Sequence, residues 1–268
     1  MRASSRGHLT LYEFDLFSSY PGLSAGCSAR TGGVSSPPYD SLNVGLHVED
    51  DPDAVLENRR RVAEGLGVEL ASLVIPRQIH RGRVAVITSA DRGRGASSHE
   101  DAIPDTDALI TSDPGVVLAV MLADCVPVIV FDPQTPAVGV AHAGWGGTVN
   151  HVVRNAVEAM QREFGSDPSR LLAGIGPSIG PASYEVGAEV ADQATREFPD
   201  ASVIRAKADG RFLFDLWSSN VADLIAAGVP RANVEVAEID TYESVERFFS
   251  DRRQRPTGRF LAAAGLRA

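Results

Sequence analysis

The chain has 268 residues, 44% of them hydrophobic and 22% charged, the composition of a globular chain rather than of a disordered or fibrous one. Thirty-five acidic against 25 basic residues give a formal charge of -10. That charge opposes the phosphate attraction on which non-specific nucleic-acid binding rests, so no nucleic-acid partner is expected.

In chain order, the first segment, MRASSRGHLTLYEFDLF, carries Glu13 and Asp15 where a secretory signal would need an apolar run. Cys27 and Cys125 are too far apart in sequence to suggest a disulfide framework, so reduced thiols and a cytoplasmic location are expected. β-rich runs predict strands at Leu9 to Phe17, Leu73 to Ile75, Val84 to Thr88, Val116 to Met121, Pro127 to Phe131, Ala137 to Ala141, Leu171 to Ile175 and Val234 to Ile239. A helix is predicted from Asp51, which can cap it, with Pro52 in its first turn and Asn58 and Arg59 at its middle. A second is predicted from Thr148 as N-cap, with Val149, Val152, Val153, Ala156, Val157, Met160 and Phe164 on one face and Gly165 as stop. Two more cover Gly187 to Phe198 and Leu216 to Ala227, and the polar stretch Asp91 to Asp107 reads as a flexible loop. The apolar run Val116 to Val130 is too short to span a bilayer and is broken by Asp124, Cys125 and Pro127, so no membrane partner is expected. Strands and helices without a regular βαβ beat, and without a dinucleotide or P-loop fingerprint, predict an α/β (α+β) chain: one compact domain over residues 1–268, with β-sheets flanked by helices. The expected assembly is a monomer or weak homodimer.

Three places carry chemistry. In VVLAVMLADCVPVIVFD, Pro127 cannot donate to a central ladder, so Asp124 and Cys125 belong at a strand end or bulge facing a cleft; the plainer reading is a turn aspartate beside a small buried cysteine. AVGVAHAGW delivers His142 at a strand end and runs into GWGGT, where Gly144, Gly146 and Gly147 allow close backbone approach and a helix entrance could attract an anion. LVIPRQIH ends a strand-like segment in His80. Two imidazoles and a thiolate suit zinc, and three protein ligands leave a fourth position for water or substrate. His151, His8 and His99 read as solvated, His47 stays open between a structural and a cleft role, and Cys27 reads as a small strand residue.

The ordered motifs TGGVSSPPYDSLNVGLHVEDD, ENRRRV, RQIHRG, TDALIT, LADCVPV, HAGWGGT, GIGPSIGPASYEVG and RFFSDRRQRPTGR, running from Arg30 to Arg259, resemble the YfiH family. It is also known as the laccase-domain, peptidoglycan editing factor (PgeF) or multicopper polyphenol oxidoreductase family. The resemblance implies a cysteine-hydrolase-like fold of helices around β-sheets, related to bacterial toxin deamidases, with zinc on His80, Cys125 and His142. It also implies phosphorolysis of adenosine, inosine, guanosine and S-methyl-5′-thioadenosine, together with adenosine deamination. Purine nucleosides and inorganic phosphate are then the expected partners. The chain departs from the family pattern at Gly146, where arginine is frequent, at Ala182 and Ser183, where paired cysteines are, and in TYES, which lacks cysteines often found there.

On this reading Asp124 handles protons near the metal. Arg59 and the turn Gly144, Gly147 and Thr148 hold phosphate, with Asn43, Gln78 and Trp145 as substrate contacts. Three other classes compete. A cysteine-type amidase acting on a cell-wall precursor would use Cys125 as nucleophile with His142 or His80 as base. A copper polyphenol oxidase would need more imidazoles than six histidines readily supply. A non-enzymatic binding protein would leave an open metal position without a purpose.

Overall fold

The computed structural model describes residues 1–268. Its strands are β1 (Arg2–Arg6), β2 (Leu9–Glu13), β3 (Leu23–Ser28), β4 (Leu73–Val74), β5 (Val84–Val86), β6 (Ala108–Thr111), β7 (Val117–Leu122), β8 (Val126–Asp132), β9 (Ala137–Ala143), β10 (Leu172–Ile175), β11 (Glu185–Val186), β12 (Ile204–Ala206), β13 (Phe212–Phe214), β14 (Val234–Val236) and β15 (Phe260–Leu266). Its helices are α1 (Pro52–Leu66), α2 (Trp145–Val149), α3 (Val152–Phe164), α4 (Ala188–Glu197) and α5 (Leu216–Ala226). One six-stranded sheet runs β1-β2-β3-β15-β7-β4, a second runs β14-β10-β8-β9-β6-β5, and a small third sheet is β11-β13-β12.

Period-two alternation explains how these stack. On β7 and β15, Val117, Ala119, Met121, Leu261 and Ala263 pack with Val62, Ala63 and Leu66 of α1. The alternate residues Leu118, Val120, Leu122, Phe260, Ala262 and Ala264 meet Leu109, Ile129, Phe131, Val138 and Val140 of the second sheet. That sheet's other face, including Val126, Val128, Val130, Ala141 and Ala143, packs on Val152, Val153, Ala156, Val157 and Met160 of α3 and Leu224 of α5. The layers are therefore helix, sheet, sheet and helices. Strands buried on both faces read as continuous apolar runs, which is why β7 to β9 stand out in the sequence. No helix is long and apolar enough to cross a membrane.

α1 begins as expected: Asp51 Oδ1 accepts from the Asp53 amide at 3.0 Å, with Pro52 in the first turn. Several expectations need correction. The helix predicted from Thr148 is split, with α2 closing on Asn150, a left-handed His151 (φ 54°), and α3 starting at Val152. The strand predicted to Phe17 stops at Glu13, and Asp15–Phe17 form a 3₁₀ turn. The stretch Asp91 to Asp107, expected to be flexible, is tied down: Ile75 N donates to the Arg94 carbonyl, the Ile75 carbonyl accepts from Ile103 N, and Gly95 N donates to Asp101 Oδ1 at 3.0 Å.

Candidate active site

The β7–β8 connection, Ala123-Asp124-Cys125, is where the chain passes from the first sheet to the second. Asp124 makes the turn in the left-handed region (φ 88°), so Cys125 lies at a strand end as its sequence context predicts. β8 pairs with β9 in a register that sets Pro127 opposite His142, one residue from the end of β9. His80 does not close a strand. β4 ends at Val74, and His80 sits in an irregular loop with φ 60°.

Asp107, preceding β6, organises that loop. Its carboxylate accepts the backbone N–H of His80 (2.9 Å), Arg81 (2.8 Å) and Ile79 (3.1 Å), and it also pairs with His142 Nδ1 at 2.9 Å. Burial opposes its charge, yet hydrogen bonds from His142 and these amides hold the Asp107 carboxyl below the usual range. With Nδ1 occupied, His142 presents Nε2 as its free ring nitrogen.

One ligand atom each from His80, Cys125 and His142 lies within 4.8 Å of the others. The imidazole centroids are 4.7 Å apart at 79°. Tetrahedral zinc with these donors spaces its ligands about 3.3–3.8 Å apart, so a modest contraction closes the set. The donors fit zinc: two borderline imidazoles, one of them backed by a carboxylate, and a thiol prone to ionise. Burial alone would raise the Cys125 thiol, but His142 and His80 beside it bring it to about 6. Burial likewise opposes a charge on His142, while Cys125 and Asp107 bring it to about 9.

The glycine turn serves packing. A Cβ on Gly144 would stand 2.9 Å from both Cys125 Sγ and His80 Cδ2, one on Gly146 2.5 Å from the His80 carbonyl oxygen, and one on Gly147 3.1 Å from that of His142. Here the frequent family arginine at 146 has no room, because the His80 backbone occupies it. Gly144, Gly147 and Thr148 are buried, Trp145 is exposed, and none of the four lines the cavity at the metal ligands. Asn220 Nδ2 donates to Thr148 Oγ1.

That cavity, of about 360 Å³, is walled by the three ligands, Gln78, His47, His99, Asp251 and Arg259 among others. Gln78 is at the cavity as expected, though its amide is clasped to Met121: Oε1 accepts from Met121 N and Nε2 donates to Met121 O. Arg59 is not at the cavity. It is 1% exposed, donating to the carbonyls of Val44 (2.7 Å), Gly95 (2.6 Å) and Ala96 (2.8 Å), so it ties together the two segments that carry His47 and His99. Asn43 is also buried: Oδ1 accepts the Gly45 and Arg259 amides, and Nδ2 donates to Asp50. Asp124 faces away from the cavity, its two oxygens taken by Thr241 Oγ1 and the Arg252 amide at 2.7 Å each, and burial pushes its carboxyl up.

Two histidine readings change as well. His99 lines the cavity with its ring 5.8 Å from that of His47, and His151 is half-buried between Asp223 and Glu197. Asp107, Asp251 and Arg259 went unnoticed as individual residues. Each lies inside a motif already singled out, TDALIT or RFFSDRRQRPTGR, which was the available signal.

A family model described as multi-copper polyphenol oxidoreductase laccase matches residues 24–267. Among similar proteins is the purine nucleoside phosphorylase YlmD of Geobacillus stearothermophilus, 40% identical over 251 residues that cover 92% of each chain. Another is the adenosine deaminase RL5 of an unknown prokaryotic organism, 38% identical over 91% of this chain and 94% of that one. The crystal structure of YlmD from Geobacillus stearothermophilus superposes with a TM-score of 0.94, covering 99% of this chain and 98% of the other at 38% identity.

Proposed function

We infer that this chain, which belongs to the multi-copper polyphenol oxidoreductase laccase family, the YfiH group, is a zinc-dependent purine nucleoside phosphorylase with adenosine deaminase activity. The observation that carries the reading is the convergence of His80, Cys125 and His142 on the wall of a 360 Å³ cavity, a volume within the range of small-molecule sites. The names of similar proteins supply the two reactions, and we take adenosine, inosine, guanosine and S-methyl-5′-thioadenosine as the substrate class. The whole chain acts as one catalytic domain, in the cytoplasm.

Zinc bound by the three side chains supplies a Lewis acid at the cavity wall. Asp107 fixes the His142 tautomer and, through three amides, the His80 backbone. Gln78 clasps the end of β7 and holds the same loop. Asp124 is too enclosed to handle protons at the cavity, and Asp251, the carboxylate on the wall, is engaged by Arg255 and Arg259. Against a multicopper oxidase stands the number of sites: one three-ligand cluster does not supply the several copper centres such chemistry needs.

The test is purine-base and inosine release from adenosine by zinc-loaded protein, with and without phosphate, beside His80→Ala. Phosphate-dependent adenine release, lost in the variant and on chelation and restored by zinc, is the expected result. No product under any condition overturns the reading. One observation favours a second reading: the thiol of Cys125 brought to about 6 beside His142, with Asp107 behind it, is also the arrangement of a cysteine hydrolase. Such an enzyme would survive chelation and be lost on alkylation.

A further inference from the structure

Phosphorolysis requires a place for inorganic phosphate beside the nucleoside. The two groups that the sequence suggests for it, Arg59 and the glycine turn, are both closed off by packing. Resting on the phosphorylase reading, we propose that inorganic phosphate is held on the cavity wall formed by Arg259, His47 and His99, with Arg259 as its principal cation.

Arg259 follows from its surroundings. Its stem crosses Gly45, where a Cβ would stand 2.9 Å from Arg259 Cγ, and its backbone amide is fixed by Asn43 Oδ1 at 2.8 Å. The guanidinium donates from Nη1 to the Thr257 and Gly258 carbonyls at 3.0 Å each, and from Nη2 to Asp251 Oδ1 at 3.3 Å. Of five guanidinium N–H donors, the Nε proton and one on Nη2 are left for a ligand. Asp251 does not neutralise this wall, because it also pairs with Arg255, so one carboxylate is shared between two guanidiniums. Arg77, the other arginine on the cavity, is compensated by Asp105 at 3.2 Å.

The two imidazoles add ring N–H donors. Their rings lie 5.8 Å apart on two segments that Arg59 binds together through the Val44, Gly95 and Ala96 carbonyls. Desolvation at the cavity, with the nearby charge of Arg259 second to it, holds His47 down to about 4. A phosphate oxygen held here forms the bond to C1′ as the C1′–N9 bond breaks. The electron pair leaves on the purine, and the proton of the attacking phosphate oxygen ends on the base, so ribose 1-phosphate and free base form without any redox partner.

The experiment measures inorganic phosphate binding by titration calorimetry to the zinc-loaded full chain, together with KM for phosphate and for inosine, in wild type, Arg259→Ala, Arg259→Lys and His99→Ala. Losing a charge-assisted contact predicts a 10- to 100-fold weaker phosphate Kd and higher phosphate KM in Arg259→Ala, roughly. Inosine KM should move less than about threefold on the same grounds, with partial recovery in Arg259→Lys. His99→Ala, a truncation on the cavity wall outside any helix or strand, should weaken phosphate several-fold. Phosphate Kd within about twofold of wild type in both Arg259→Ala and His99→Ala, with phosphorolysis intact, overturns the assignment. A wild type that neither binds phosphate nor splits inosine overturns the phosphorylase reading and this inference with it.

Discussion

Replacing Asp107 by Asn tests the idea that one carboxylate assembles the ligand set. In the wild type Oδ1 serves His80 N, Ile79 N and His142 Nδ1, while Oδ2 serves Arg81 N. An amide keeps one oxygen and turns an NH₂ group toward the remaining donor, so at least one N–H that Asp107 now pairs loses its acceptor. A buried unsatisfied donor costs about 1–3 kcal/mol, and converting charge-assisted bonds to neutral ones adds about another 1 kcal/mol or more. We therefore expect Asp107→Asn to lose about 2–4 kcal/mol of metal-free stability by urea unfolding. Because the carboxyl is held below its usual range, the wild-type contribution is present above about pH 4 and fades as pH falls further; the variant should lack that fade. Zinc affinity, read by chelator competition, should fall about 10- to 100-fold as the His142 tautomer and the His80 loop are released. Zinc affinity within about threefold of wild type would refute the assembling role, whatever the stability change.

Other outcomes follow from the same geometry. In metal-free protein the iodoacetamide reaction of Cys125 should rise with a midpoint near pH 6, and His142→Ala should move that midpoint up; Cys27, buried and held at about 12, should stay silent. Gly146→Ala places a Cβ against the His80 carbonyl and should cost about 1–3 kcal/mol in chemical unfolding, with weaker zinc binding. Arg59→Met leaves the Val44, Gly95 and Ala96 carbonyls without their donor, and a loss of about 3–5 kcal/mol should appear in urea titrations.

The strands around Cys125 were legible because they are apolar runs broken by an acid, a thiol and a proline. β15 was not, although it lies between β3 and β7 in the first sheet. Its sequence, FLAAAGL, is rich in alanine, a strong helix former, and its strand state comes from burial on both faces beside neighbours distant in sequence. The three metal ligands could be picked out by chemistry, since few residue types serve. Asp124 misled because an acid in an apolar run looks catalytic, and Arg59, in the charged stretch ENRRRV, because a guanidinium suits phosphate. Here both are tied by hydrogen bonds within the protein, and hold in place the segments bearing Asp251, His47 and His99. Residue identity does not say which way such a side chain points.

His80 follows a strand of the first sheet, Cys125 stands on the passage between the sheets, and His142 ends a strand of the second. An ion held by all three is a rivet through the two halves of the core, and the rivet hole exists only while the sheets are docked. Each tenfold rise of free zinc above its dissociation constant would then add about 1.4 kcal/mol against separation of the sheets. Metal supply would set how long the protein persists as well as whether it is active, and a starved pool would open first along the seam that carries the chemistry.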